Sequence, residues 1–265
     1  MEPPAARETR ELRCEIKRAS ELAADDRVAM YALMSACYDG ISLDRFRSDL
    51  AWKDLVILLR DKVDRIRGFS TIAYNPAGCA TDAYNVVFSG DTIIDPAHWG
   101  SSALSRGFRS VLGGFKGAGG DKTLYWFLIS KGHRTYLYLP LYFRRYYPAA
   151  EKKREEDLRA VADACAAKLF PDAWNSNAGL IRFADPHDRL KPEFAEVSAG
   201  KTRNPHVSFF LSKNPGFERG DELVCLARVD TENLLRADPA CFGEALARPP
   251  VLFRDIVAQN ARMIL

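Results

Sequence analysis

The chain predicts an α/β fold built on a mixed, mainly antiparallel sheet flanked by helices, and three observations carry that prediction. Short apolar runs bounded by turn residues alternate with segments whose apolar residues recur at helical spacing, in the order β-α-α-β-β-β-α-β-α over residues 14–148. The apolar runs 55–59 and 66–74 face each other across a short charged turn, which makes them an antiparallel hairpin. A last apolar strand at 221–230 follows a stretch rich in Pro, Gly and Asn and joins the same sheet.

Each element has its own local reason. Residues 14–18 alternate weakly, as an edge strand does. Residues 25–38 place Val28, Tyr31, Ala32, Met34, Ser35 and Tyr38 at helical spacing behind two acids suited to a helix start. Residues 43–52 form a second short amphipathic helix with Ser42 as its N-cap. The run 55–59 is apolar throughout and reads as a buried strand. After the turn at 61–65, the partner strand 66–74 is broken by Asn75, Pro76 and Gly78. Residues 83–94 are a third central strand, with a bulge expected at Ser89 and Gly90. A helix over 101–117 is expected to end on the glycines Gly113, Gly114, Gly119 and Gly120. A strand at 123–131 and an aromatic-basic segment at 133–148 complete the series, with Pro140 starting or kinking a helix. Residues 151–169 read as an alanine-rich amphipathic helix, 171–220 follow no clear period, and 252–265 read as helical.

Composition narrows the function classes. The hydrophobic share of 47% and charged share of 28% are ordinary for a globular protein. A net charge of +3 is too small to argue for nucleic acid. Residues 106–150, however, hold eight cations (Arg106, Arg109, Lys116, Lys122, Lys131, Arg134, Arg144, Arg145) against one acid, Asp121, which suggests an anionic ligand or an acidic partner. Six scattered cysteines without a Cys-x-x-Cys pair read as reduced thiols. The four histidines, His98, His133, His187 and His206, form no metal-binding pair, so no metal is expected. The absence of a signal-peptide core and of an apolar run long enough to span a bilayer leads to the expectation of a cytoplasmic protein.

The chemistry concentrates between Phe88 and Pro148. A strand ending Ile93-Ile94-Asp95-Pro96 enters a turn of small residues, Gly100, Ser101, Ser102 and Ala103, that opens a helix. Such a turn offers backbone N–H groups and a positive dipole end to a phosphate. This order and spacing resemble the acyl-CoA-binding core of the GNAT N-acyltransferases. The family's signature in this turn is Val-x-Pro, then Arg/Gln-x-x-Gly-x-Gly/Ala. Ile94, Asp95 and Pro96 match its entry and Gly100 keeps its place, but Trp99, Ser102 and Leu104 stand where the family has Arg/Gln, Gly and Gly/Ala. The resemblance implies a thioester donor bound by Ile93, Ile94, Asp95, Gly100, Ser101, Ser102, Ala103 and Arg106. It also implies an oxyanion donor among the backbone N–H groups of residues 93–95. A weakened pyrophosphate cradle suits a carrier-protein donor, whose arm has a single phosphate, and acyl-CoA is the alternative.

Family members carry Leu-Tyr-x-x-x-Gly-Phe in the helix after the fifth strand, and Leu141-Tyr142 with Tyr146 and Tyr147 has that spacing. The resemblance makes Tyr142 the general acid toward the leaving thiolate, with Tyr136 second, since a phenol is protonated at pH 7. It makes Asp91 the general base toward the amine, with His98 and His133 as other candidates. The run from Lys131 to Tyr136 together with 139–148 is similar to bacterial GNAT-like proteins, some of which acylate amino acids or peptides with fatty chains. The implied reaction is direct transfer of an acyl group, a fatty one by this resemblance, to a primary amine of an amino acid, peptide or related small molecule. An acetyl-CoA-dependent N-acetyltransferase and a GNAT-like thioester-binding module without catalysis are the alternatives. The organisation expected is an N-terminal tail (1–13), a thioester-binding core (14–148), and a C-terminal extension (149–265) that places a strand and helices around the acceptor side.

Overall fold

A computed structural model describes residues 11–151, 155–184, 188–235 and 239–263. The tail 1–10 and His187 lie outside the described residues. The elements run β1 (Arg13–Arg18), α1 (Ala24–Cys37), α2 (Leu43–Ala51), β2 (Leu55–Arg60), β3 (Ile66–Tyr74), β4 (Tyr84–Ile94), α3 (Ala103–Ala118), β5 (Thr123–Ser130), α4 (His133–Tyr136), α5 (Tyr138–Tyr142), α6 (Glu156–Leu169), α7 (Pro205–Lys213), β6 (Glu222–Val229) and α8 (Val251–Met263). The expected order of the main elements is the observed one through β5, with a two-residue strand, Tyr38–Asp39, added after α1. Ser42 caps α2, its hydroxyl accepting from the Arg45 N–H at 3.2 Å.

The main sheet runs β1-β2-β3-β4-β5-β6, with short strands at Leu180–Ile181 and Trp174–Asn175 beyond β6. Its described pairs are antiparallel except β4 with β5. Every residue of β2 is buried, which explains why 55–59 are apolar without alternation, and Arg60 is buried with Asp26 as its partner at 2.8 Å. One face of the sheet, through Ile57, Ile72, Val87 and Trp126, packs on α3 through Leu104, Phe108, Val111 and Phe115. The opposite face is covered by α1 and α2 at the β2–β3 end and by α6 around Val86, Phe88 and Phe127.

Two expectations need correction. Gly113 and Gly114 do not end the helix, which continues to Ala118. A Cβ on Gly113 would stand 2.5 Å from the Phe242 carbonyl, and one on Gly114 2.6 Å from the Phe253 ring, so these glycines let the C-terminal helices approach α3. The segment 133–148 is not one helix but α4, α5 and a two-residue strand, Tyr146–Tyr147, paired to β6. Pro140 sits within the first turn of α5, where a missing N–H is tolerated.

Candidate active site

The site begins where two strands part. β4 pairs with β5 in parallel from Tyr84–Thr123 to Ser89–Leu128, and no further. The Trp126 indole N–H donates to Ser89 Oγ at 2.9 Å, tying the strands at that last pair. On its other side β4 carries a bulge. Ser70 pairs with Thr92 and Ile72 with Ser89, so Thr71 alone faces both Gly90 and Asp91. The extra residue resets the alternation. Phe88 and Ile93, five apart, point to opposite faces of a regular strand, yet here both lie under the helices opposite α3. The bulge is therefore what turns Asp91 into the space left by the parting strands. Gly90 permits it, since a Cβ there would meet Thr71 Oγ1 at 2.7 Å and Lys53 Cε at 3.1 Å.

The ladder also aims a backbone group into the gap. The Asp95 N–H donates to the Arg67 carbonyl across β3 at 2.7 Å. In an antiparallel ladder the neighbouring residue faces the other way, so the Ile94 N–H and C=O point into the gap. The Ile94 carbonyl accepts from the Trp99 indole at 3.0 Å, which leaves its N–H turned toward the cavity. The turn that follows is built by local bonds. Asp95 Oδ1 accepts from the Ala97 N–H at 3.0 Å, Gly100 adopts φ +90°, and Ser101 Oγ accepts from the Ala103 N–H at 3.2 Å. Only glycine adopts that φ without strain. The Arg134 guanidinium stacks 3.7 Å over the Trp99 ring and donates to the Phe194 carbonyl at 3.2 Å.

These elements wall a cavity of about 1050 Å³. One end is the turn, with Gly100, Ser101, Ser102, Ser105, Arg134 and Tyr138. The other holds the carboxylates Asp49, Asp91, Asp188 and Glu222, and Asp54 also lines the cavity, its Oδ2 accepting from the Tyr74 N–H at 2.7 Å. Lys53 Nζ lies 2.6 Å from Asp49, Lys131 Nζ 3.3 Å from Glu222, and Arg45 Nε 3.6 Å from Asp188. Among the described residues Asp91 and Asp54 have no such partner within 4 Å. Burial, and then the charge of Asp49, push its carboxyl up to about 7, against the pull of Lys53 and Lys131. Glu222 is also raised by burial, and Lys53 is lowered by it. Lys131 is raised because Glu222, Asp188 and Asp91 outweigh its desolvation.

The expected site residues fall on both sides of the wall. Asp91, Ile93, Ile94, Gly100, Ser101 and Ser102 line the cavity. Asp95 caps the turn and pairs with Arg67 at 3.1 Å, Ala103 is buried, and Arg106 bonds Ser102 Oγ and the Leu12 carbonyl; none of the three lines it. Tyr136 is buried and donates to the Pro148 carbonyl at 2.9 Å. Tyr142 packs between the Trp126 ring and Arg109; its hydroxyl lies near Ser105 without a hydrogen-bonding geometry. The tyrosine of this segment that lines the cavity is Tyr138, four residues earlier, with burial holding it protonated at a value pushed up to about 12; Tyr38 and Tyr74 line the cavity as well. His98 and His133 lie outside the lining, and burial together with Arg134 pushes His133 down to about 4, so it is neutral at pH 7.

The eight cations of residues 106–150 do not share one face. Lys116 and Lys122 bond backbone carbonyls at the far end of α3, about 20 Å from its N-terminus at 1.5 Å per residue. Lys131 is inside the cavity, and Arg145 pairs with Asp157 at 3.0 Å. The extension beyond residue 149 supplies Phe170, Phe183, Asp188 and Glu222 to the lining, whereas Phe242 and Phe253 pack against α3 on the other face of the sheet.

Among the described residues no group of three His, Cys, Asp or Glu could hold a metal ion, and no helix is long and apolar enough to cross a membrane. No protein-family model and no curated protein matches the chain. Solved structures do. A GNAT family N-acetyltransferase (YhbS) from Escherichia coli, in complex with CoA, is 15% identical over 49% of this chain and 66% of that one, with a TM-score of 0.32. ElaA from Escherichia coli is 16% identical over 48% of this chain and 84% of that one, also at 0.32. A protein from Enterococcus faecalis V583, described as a probable N-acyltransferase, is 13% identical over 51% of this chain and 33% of that one, at 0.36. The three matches each cover about half of this chain.

Proposed function

We propose that the protein is an N-acyltransferase that moves an acyl group from a thioester of CoA, or of an acyl carrier protein, directly to a primary amine. The observation that carries this reading is Asp91, turned by the β4 bulge into the cavity where β4 leaves β5 and raised to about 7. A carboxyl with that value is poised to accept a proton near neutral pH. Asp91 takes the proton of the entering amine as its nitrogen attacks the thioester carbonyl carbon. The Ile94 N–H stabilises the oxyanion. As the C–S bond breaks, Tyr138 gives its proton to the departing sulfur. The turn at Gly100–Ser102 and the start of α3 receive the donor's phosphate. Apolar walls from Met34, Ile41, Phe46 and Leu190 suit an acyl group bulkier than acetyl, in keeping with the fatty-acyl reading. A cytoplasmic setting, where CoA thioesters are made, fits the six free cysteines.

The test is incubation of the protein with acetyl-, octanoyl- and palmitoyl-CoA and with octanoyl-acyl carrier protein, each with and without a panel of primary amines. Free thiol and product mass are read. The expected result is amine-dependent thiol release with the acyl group on the amine. Thioesters that neither bind by calorimetry nor turn over would remove the reading.

A further inference from the structure

The chemistry of the acceptor can be read from the end of the cavity farthest from the turn. Trp52 stacks on Phe88 with ring centroids 5.5 Å apart, Phe170 meets Phe88 edge-on at 6.2 Å, and Phe183 meets Phe170 at 6.3 Å. All four rings line the cavity. This aromatic wall abuts the carboxylates. Lys53 Nζ, bonded to Asp49 at 2.6 Å, lies 3.6 Å from the Trp52 ring centroid. Phe88 stands only three residues before Asp91 on the same strand.

Charge then decides what fits. Of the five carboxylates in the lining, Asp49, Glu222 and Asp188 have their own cation, Lys53, Lys131 or Arg45, and Asp54 is held by the Tyr74 N–H at 2.7 Å, whereas Asp91 has no cation within 4 Å and only the longer-range pull of Lys53 and Lys131. A ligand ammonium supplies the missing counter-charge. A ligand carboxylate beside that ammonium would instead face Asp49, Asp91, Asp188 and Glu222, with every nearby cation already engaged. The remaining cation of the lining, Arg134, belongs to the turn, stacked on Trp99 past the end of β4. Asp91 is three residues from Ile94, roughly 10 Å along the strand. An α-amino acid carries both charges on one carbon and cannot reach both places.

We infer that the acceptor is a primary amine on a flat apolar or aromatic body and lacks a free carboxylate, the ring lying against Trp52, Phe88, Phe170 and Phe183 and the ammonium at Asp91. This rests on the acyl-transfer reading for the name acceptor, but the binding preference stands apart from it. A cation next to aromatic faces and an unpaired carboxylate gains from both, and an added carboxylate is penalised by like charges in a low-dielectric cavity.

Calorimetry without any donor separates the two claims. Phenethylamine, L-phenylalaninamide, L-phenylalanine and ethylamine are titrated into the full chain at pH 7.5. The expected order is phenethylamine and the amide tightest, and L-phenylalanine at least about tenfold weaker, with the amide showing that bulk at Cα is not the cause. Ethylamine, lacking the ring, is also weaker, and Phe170→Ala weakens phenethylamine while leaving ethylamine unchanged. L-phenylalanine binding as tightly as phenethylamine, or no binding by any amine, overturns the inference. The expected order, with no thioester of CoA or of acyl carrier protein either binding or releasing thiol, upholds it and removes acyl transfer instead.

Discussion

Lys53 Nζ is held 2.6 Å from Asp49 Oδ2 with only 1% of its side chain exposed, and Asp91 adds a second attraction from the strand opposite. Burial lowers the lysine, and the two acids work against that loss. The three groups form one charge system in which Asp49 raises the proton affinity of Asp91 and Lys53 lowers it. Asp49 belongs to the last turn of α2, Lys53 follows two residues after its end, and Asp91 belongs to the β4 bulge, so the packing of α2 on the sheet tunes the candidate base.

Replacing Asp49 by asparagine tests that coupling. Asp49 raises Asp91, so its removal lowers the Asp91 value, and Lys53, released, pairs with Asp91 and lowers it further. The base is then free at lower pH. The acidic limb of the kcat/KM profile moves down by about one unit or more. A limb that stays in place or moves up would show that Asp49 does not govern the titrating group.

Asp91 also makes stability depend on pH. Its folded value, about 7, lies above the ordinary carboxylate range, so the folded protein keeps this proton after the unfolded chain has lost it. Stability from this group is therefore full below about pH 4, falls as pH rises to about 7, and is flat above. Asp91→Asn removes the fall. Urea unfolding is expected to show the variant gaining on the wild type between pH 4 and 7, reaching about 2–4 kcal/mol at pH 8. Parallel stability curves would show that the carboxyl titrates normally.

Gly113→Ala sets local preference against packing. Alanine favours the helix interior over glycine by about 1 kcal/mol. The new methyl, however, would stand 2.5 Å from the Phe242 carbonyl oxygen, which is backbone and cannot swing aside. Overpacking of that kind costs about 1–3 kcal/mol, and clash outweighs propensity. Thermal unfolding should therefore show a lower Tm. A raised Tm would mean that residues 239–243 yield to α3 without loss.

The same contrast explains what was legible from residues alone. Ser42 was readable as a cap because its bond to Arg45 lies within one turn. The interruption at Ser89 and Gly90 was readable because it breaks an apolar run. Its consequence for Asp91 depends on the register with β3 and was not. Asp49 and Lys53, four apart across the end of a helix, look like any exposed ion pair; the burial of Lys53 comes from the fold. Glu222, opening the apolar run of β6, did carry a signal, since an acid at the head of a buried strand calls for a partner, here Lys131. Gly113 and Gly114 misled because short-range propensity knows nothing of Phe242 and Phe253.

The two tyrosines of α5 give the last test. Tyr138 and Tyr142 lie one helical turn apart with ring centroids 5.5 Å from each other, and both are protonated at pH 7 because burial raises them. They differ in what their hydroxyls face. Tyr138 lines the cavity, as do Ser102 and Ser105, whereas the Tyr142 hydroxyl is buried without a partner. Tyr138→Phe should lower kcat about tenfold to a hundredfold with little change in donor KM, as loss of a proton donor does. Tyr142→Phe removes an unsatisfied buried hydroxyl, so stability should hold or rise and kcat should stay near wild type. Steady-state kinetics and urea unfolding on both variants decide it. A large kcat loss confined to Tyr142→Phe, with its stability intact, would move the proton donor to Tyr142 and require α5 to rotate when the thioester binds.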